Sequence, residues 1–211
     1  MPRKPREEIV DGIFHVYARG NNKGLIYRDG VDRQAYLQAL GAVVERCRWR
    51  LLAFCLMDNH MHLLVETPHA NLGVGMQRLQ SDYAQQFNQR HGRSGHVFQG
   101  RYGSVRAETD EQLWGAAAYI AMNPVVAGLC DAPEAWPWGS HRAIVRGSGP
   151  RWLDVERLLE HFAGAGRDAR QTYAEMFREM REARPGGRAS LEGNSLVESP
   201  GGATEVAAPS R

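Results

Sequence analysis

Cysteine is scarce in this sequence: Cys47, Cys55 and Cys130 are all there is, and no two form a Cys-x-x-Cys pair. An odd, scattered set excludes a disulfide framework and a cysteine-built zinc site. Long apolar runs are missing as well; nothing approaches the ~18 residues of a membrane span. Five of the first eight residues are charged, and they lead into no apolar segment of signal-peptide length, as expected of a cytoplasmic protein. Lysine is nearly absent, since 24 of the 26 basic residues are arginine. The planar guanidinium fork suits phosphate oxygens, although genomic base composition produces the same bias. A net charge of +2 names no partner. There is no internal repeat. What remains is 211 residues, 43% of them hydrophobic, enough for one globular domain with an appendage.

The apolar patterning predicts strands over 13–18, 49–57, 60–67 and 102–108, and helices over 31–47, 72–91 and 110–123. Leu37, Leu40, Val44 and Cys47 share one face of the first helix. Leu72, Met76, Leu79, Tyr83 and Phe87 form a stripe on the second. Thr109 to Gln112 has capping-box spacing, and Pro124 is expected to stop the third helix at Asn123. The first six elements follow the order of an α+β, ferredoxin-like split βαβ fold. That order implies a four-stranded antiparallel sheet with helices packed on one face, followed by an added helix carrying Tyr119. The expected organisation is a catalytic domain over 1–128, a partly helical C-terminal extension over 129–183 and a disordered tail over 184–211. The tail is rich in Gly, Ala, Ser and Pro.

His60 and His62 are one residue apart on a strand, so both leave the same face with Cα atoms roughly 6–7 Å apart. Two imidazoles so placed reach one cation, but the pattern is short and equally compatible with two hydrogen-bonded rings. The third helix adds weight. Gln112, Tyr119 and Asn123 fall within a narrow arc at about 100° per residue, beside the apolar stripe of Leu113, Ala117 and Ile120. Tyr119 therefore sits at the border of the buried face. Asn123, one turn on, is placed to offer a carbonyl oxygen to the same metal. A histidine-triad hydrolase would need His at position 64, which is Leu64. A large-barrel His-x-His hydrolase is excluded by length.

The segments around His60-Met61-His62 and Ala118-Tyr119-Ile120-Ala121-Met122-Asn123-Pro124 resemble those of the HUH superfamily of single-tyrosine transposases. The nearest resemblance is to REP-associated tyrosine transposases. It extends to His15-Val16-Tyr17-Ala18-Arg19-Gly20-Asn21-Asn22, to Gly95-His96-Val97-Phe98-Gln99-Gly100-Arg101-Tyr102 and to Trp136-Pro137-Trp138, in order over about 9–145. The resemblance implies a divalent metal, Mg²⁺ or Mn²⁺, on His60, His62 and Asn123. It implies attack by Tyr119 on single-stranded or hairpin DNA, giving a 5′-phosphotyrosine and a free 3′-hydroxyl that strand transfer later resolves. Asn rather than Gln at 123 points to the REP-associated group. Homodimer and monomer both occur among such proteins, and the sequence does not choose between them.

Between Tyr83 and Ala107 lie Arg90, Arg93, Arg101 and Arg106 with no acidic residue, as expected of a strand-binding surface. The expected DNA contacts are Arg19, Asn21, Asn22, Arg101 and Arg106, with Arg90 and Arg93 weaker candidates. Lys23 and the N-terminal Arg3, Lys4 and Arg6 would extend that surface. Trp136 and Trp138 are expected to pack. The competing expectation is a DNA-binding protein that keeps the fold without the chemistry.

Overall fold

Each strand–helix alternation written in the sequence becomes an element of the computed structural model, which describes residues 11–163 and 168–182. The strands are β1 (Gly12–Arg19), β2 (Arg50–Leu56), β3 (His60–Thr67) and β4 (Gly103–Ala107). The helices are α1 (Gly30–Cys47), α2 (Leu72–Arg90), α3 (Asp110–Val126), α4 (His141–Arg146), α5 (Val155–Glu160) and α6 (Ala169–Glu182). The expected tail over 184–211 and the basic Arg3, Lys4 and Arg6 lie outside the described residues. Among the described residues no helix is long and apolar enough to cross a membrane.

The sheet is antiparallel throughout with strand order β2-β3-β1-β4, the α+β, ferredoxin-like arrangement the element order implied. Strand pleating divides its residues between two faces. Phe14 and Val16 of β1 stand beside Val65 and Leu63 of β3 on one face, and all four are buried. The paired helices α1 and α2 cover that side through a cluster of Tyr36, Tyr83 and Tyr27 rings. The expectation of helices on one face holds for this pair only. The other face carries His15, Tyr17, His60 and His62, and α3 crosses it.

Local chemistry sets the helix ends. Asp29 caps α1, its Oδ1 accepting from Val31 and Asp32 backbone N–H at 2.9 and 3.1 Å. At α3, Thr109 Oγ1 accepts from Gln112 N–H at 3.3 Å, and Gln112 Oε1 accepts from Glu108 N–H at 2.7 Å. Contrary to expectation, α3 continues past Pro124 to Val126. Proline removes the hydrogen bond its nitrogen would have given to Ile120, yet the helix needs to survive by less than one turn. Ala127 N–H still reaches Asn123 O at 3.0 Å. Burial of the Pro124 ring offsets the one lost bond.

The region after 128 does not stand apart from this core. It closes the outer edge of β2 by isolated bridges from Gly139 to Cys55 and from Leu153 to Leu51. Backbone hydrogen bonds of 2.8–2.9 Å join Asp154 to Leu51, Ser140 to Phe54 and Leu56 to Trp138. An edge strand left open would invite pairing with other chains. Trp136 Nε1 donates to Leu56 O at 3.2 Å, the packing role expected of it.

Gly75 of α2 lies beneath the Trp49 indole, and a Cβ added there would stand 2.1 Å from a ring carbon. Neither the helix nor the buried ring has room to give. Gly75→Val should therefore lower unfolding free energy by about 3 kcal/mol, an overpacking cost. The urea midpoint measures it, and an unchanged midpoint would show that Trp49 repacks freely.

Candidate active site

The site begins with a turn that has little freedom. Met57, Asp58 and Asn59 join β2 to β3. Asp58 O accepts from Ile26 and Tyr27 N–H at 3.0 and 3.3 Å, and Asn59 O accepts from Gly20 N–H at 2.8 Å. The buried Arg33 guanidinium pairs with the Asp58 carboxylate. His60 leaves this clamped turn with Arg19 opposite it on β1, and His62 stands opposite Tyr17. Gly103 is the β4 neighbour of Tyr17, where a Cβ would sit 2.2 Å from the Tyr17 ring; only glycine lets that ring lie across the sheet.

From above, α3 delivers Tyr119 and Asn123 one turn apart. Leu113, Ala117 and Ile120 are buried as expected, whereas Tyr119 is 47% exposed. Its ring meets His62 nearly edge-on with centroids 5.2 Å apart. The phenol is thus held on one side and open on the other. The Asn123 amide spans the two histidines, with Oδ1 3.1 Å from His60 Nε2 and Nδ2 3.4 Å from His62 Nε2.

The hydrogen-bond accounting shows what this trio can hold. Asn59 Nδ2 donates to Lys23 O at 3.0 Å, which turns its Oδ1 toward His60 Nδ1 at 2.7 Å. That oxygen can only accept, so the Nδ1 of His60 carries the proton. The Nε2 of a neutral His60 then presents a lone pair to Asn123 Oδ1, itself a lone-pair atom. Two acceptors 3.1 Å apart repel in this arrangement, and a cation between them, whether an extra ring proton or a metal ion, relieves it. Burial disfavours the proton: it lowers the pKa of His60 despite help from Asn123, with the Arg19 charge acting the same way as burial. Burial, aided by His15 and His60, drives His62 well below its usual range. Neutral imidazoles and an amide oxygen are the donor set that suits a divalent cation. Among the described residues no group of three His, Cys, Asp or Glu that could hold a metal ion is present; beside the two histidines, a third donor would have to be the Asn123 amide.

One residue of the site was not singled out from the sequence. His15 Nε2 lies 3.0 Å from His62 Nδ1, and its ring is 5.6 Å from that of Tyr119. Burial lowers its pKa to about 4. Period-two alternation from Arg19 back through Tyr17 to His15 was the available signal, but it needed the β1–β3 register to give it meaning.

The expected DNA contacts divide. Arg19 is exposed beside His60. Asn21 and Asn22 form an exposed 3₁₀ turn in which Asn22 and Lys23 have φ of 51° and 59°. Asn21 N–H to Val97 O and Gln99 N–H to Arg19 O, each 2.9 Å, tie this turn to the segment that leads to exposed Arg101. These four residues flank the site on connected backbone. Arg106 does not join them. It pairs with Phe14 on β1, which places it on the opposite face, and its side chain lies toward Gly12. Arg90 is engaged by Asp29 and Asp32, and Arg93 lies over the Phe87 ring.

Acid should weaken both site and fold. Histidines whose folded pKa is depressed bind fewer protons folded than unfolded. Their contribution is therefore intact above pH 6.5 and is lost as pH falls toward about 4, the value for His15. Urea midpoints should fall across that window and stay flat just above it. A flat profile down to pH 4 would mean that these rings are not buried in solution.

Residues 10–123 match the family model described as "Transposase IS200 like", more than half of the chain. A protein of Haemophilus influenzae provisionally described as a REP-associated tyrosine transposase is 26% identical over 124 residues, 53% of this chain and 68% of that protein. A solved REP-associated tyrosine transposase, bound to a REP hairpin, superposes with a TM-score of 0.58 at 20% identity. That match covers 71% of this chain and 89% of the other.

Proposed function

The chain belongs to the IS200-like transposase family, and from that premise we propose that it cuts and rejoins single-stranded DNA at or beside a hairpin through a covalent bond to Tyr119. The observation that carries the reading is the amide of Asn123 lying between two imidazole nitrogens while the phenol one turn earlier is exposed and braced on His62.

In the proposed reaction, Tyr119 Oη gives up its proton to the medium and attacks the phosphorus of a phosphodiester. The bond to the 3′ oxygen breaks, and that oxygen leaves as a hydroxyl with a proton from the medium. The new phosphotyrosine keeps the 5′ side of the strand, so attack by a 3′-hydroxyl reverses the exchange without another energy source. A phenol is a weak nucleophile near neutral pH. His60, His62 and Asn123 would hold a divalent cation, Mg²⁺ or Mn²⁺, which supplies charge stabilisation to the phosphoryl oxygens. Arg19, Asn21, Asn22 and Arg101 would hold the strand beside the site. The hairpin in the solved relative supports hairpin DNA as the substrate class.

The test incubates the protein with end-labelled palindromic single strands and Mn²⁺, with and without chelator. A protein–DNA adduct that disappears on chelation is expected. Binding without any adduct across such strands would instead support a DNA-binding protein that keeps the fold alone.

A further inference from the structure

A neutral imidazole carries its proton on one of two nitrogens, and a ligand histidine must have the other one free. Asn123 Nδ2 can only donate, so the His62 Nε2 it faces is an acceptor. The proton of neutral His62 therefore belongs on Nδ1. His15 Nε2 stands 3.0 Å from that atom. The β1–β3 register sets this approach, pairing Tyr17 with His62 and His15 with Leu64. The ring is further fixed between Tyr17 and Tyr119, with centroids at 5.8 and 5.6 Å.

We propose that His15 is a positioning residue for the strand-cutting reaction: its Nε2 accepts the Nδ1 proton of His62 and locks that ring with Nε2 free for the cation. The inference rests on the reading of His60, His62 and Asn123 as cation ligands. Ligand histidines usually donate their second N–H to a carboxylate, a carbonyl or water. An imidazole in that place accepts the same hydrogen bond without a negative charge, which beside a phosphodiester would repel the substrate. Because the His15 ring also meets Tyr119, one side chain braces both the ligand and the nucleophile.

The experiment compares the full chain with His15→Phe, which keeps a ring but has no acceptor, and His15→Gln, whose amide oxygen reaches about as far as Nε2. Long-range ¹H–¹⁵N spectra of the histidine rings in metal-free protein read the tautomer of His62. Electron paramagnetic resonance of free Mn²⁺ reads affinity, and urea midpoints confirm that each variant folds. The wild type should show His62 protonated on Nδ1. His15→Phe should lose that preference and bind Mn²⁺ about 10–100-fold more weakly, and His15→Gln should recover most of both. An Nε2-protonated His62 in the wild type, or His15→Phe with unchanged tautomer and affinity, would overturn the proposal. A wild type that binds no Mn²⁺ but keeps a His15-dependent tautomer would sink the cation reading itself, and the role of the lock with it.

Discussion

Tyr119→Phe is expected to abolish the covalent protein–DNA adduct and to slow strand cleavage by at least about 10³-fold, a loss of about 4 kcal/mol of transition-state stabilisation. The substitution removes only the oxygen. The Tyr119 ring touches His62 and His15 through its carbon frame, and phenylalanine keeps those contacts. Because the side chain is 47% exposed, no buried hydroxyl partner is stranded and the urea midpoint should not move. DNA affinity should also stay close to that of the wild type, since the proposed strand contacts of Arg19, Asn21, Asn22 and Arg101 are untouched. Loss of cleavage with retained binding and stability identifies a nucleophile. An adduct that persisted in Tyr119→Phe would move the nucleophile elsewhere, with Tyr17, 6.4 Å from the His62 ring, the first candidate.

His62→Ala should have the second largest effect, reducing Mn²⁺ affinity and cleavage each by about 100-fold or more, at the upper end of what loss of a supporting group costs. His62 is 6% exposed and is the hub of the site, facing Asn123, His15 and the Tyr119 ring. Its removal leaves the His15 and Asn123 polar atoms without a partner, at about 1–3 kcal/mol. A stability loss therefore accompanies this variant, unlike Tyr119→Phe. Raising Mn²⁺ should restore His62→Ala little, because Tyr119 would lose the ring that braces it as well as the proposed cation. Full recovery at high Mn²⁺ would confine His62 to metal binding, and wild-type affinity would remove it from the ligand set.

The fold was legible where local chemistry and tertiary demand agree. Thr109 caps α3 as its spacing to Gln112 implied, and the break between β2 and β3 falls where the apolar patterning put it. The alternation that sends His60 and His62 to one face needs no partner strand to be read. The position of Asn123 one turn beyond Tyr119 could be read because that spacing is a property of α3 alone. Features that depend on distant pairing were hidden. His15 gains its role only through register with β3, and Arg106 was credited to the site although the same register sends it to the other face. The single bridges by which Gly139 and Leu153 close the β2 edge have no periodicity to read. Pro124 misled for a related reason: the rule that ends helices before proline is local, whereas burial of that ring is not.

The most direct test of Tyr119 as nucleophile maps the adduct itself. Protein trapped on a palindromic single strand with Mn²⁺ is digested with trypsin, and the nucleotide-bearing peptide is identified by mass spectrometry. Cleavage after Arg106 and Arg142 releases residues 107–142, in which Tyr119 is the only tyrosine. This peptide should carry the 5′-phosphate end of the DNA, and none should form without the metal. A nucleotide on any other peptide, or cut strands with no protein attached at any time, would contradict that role for Tyr119.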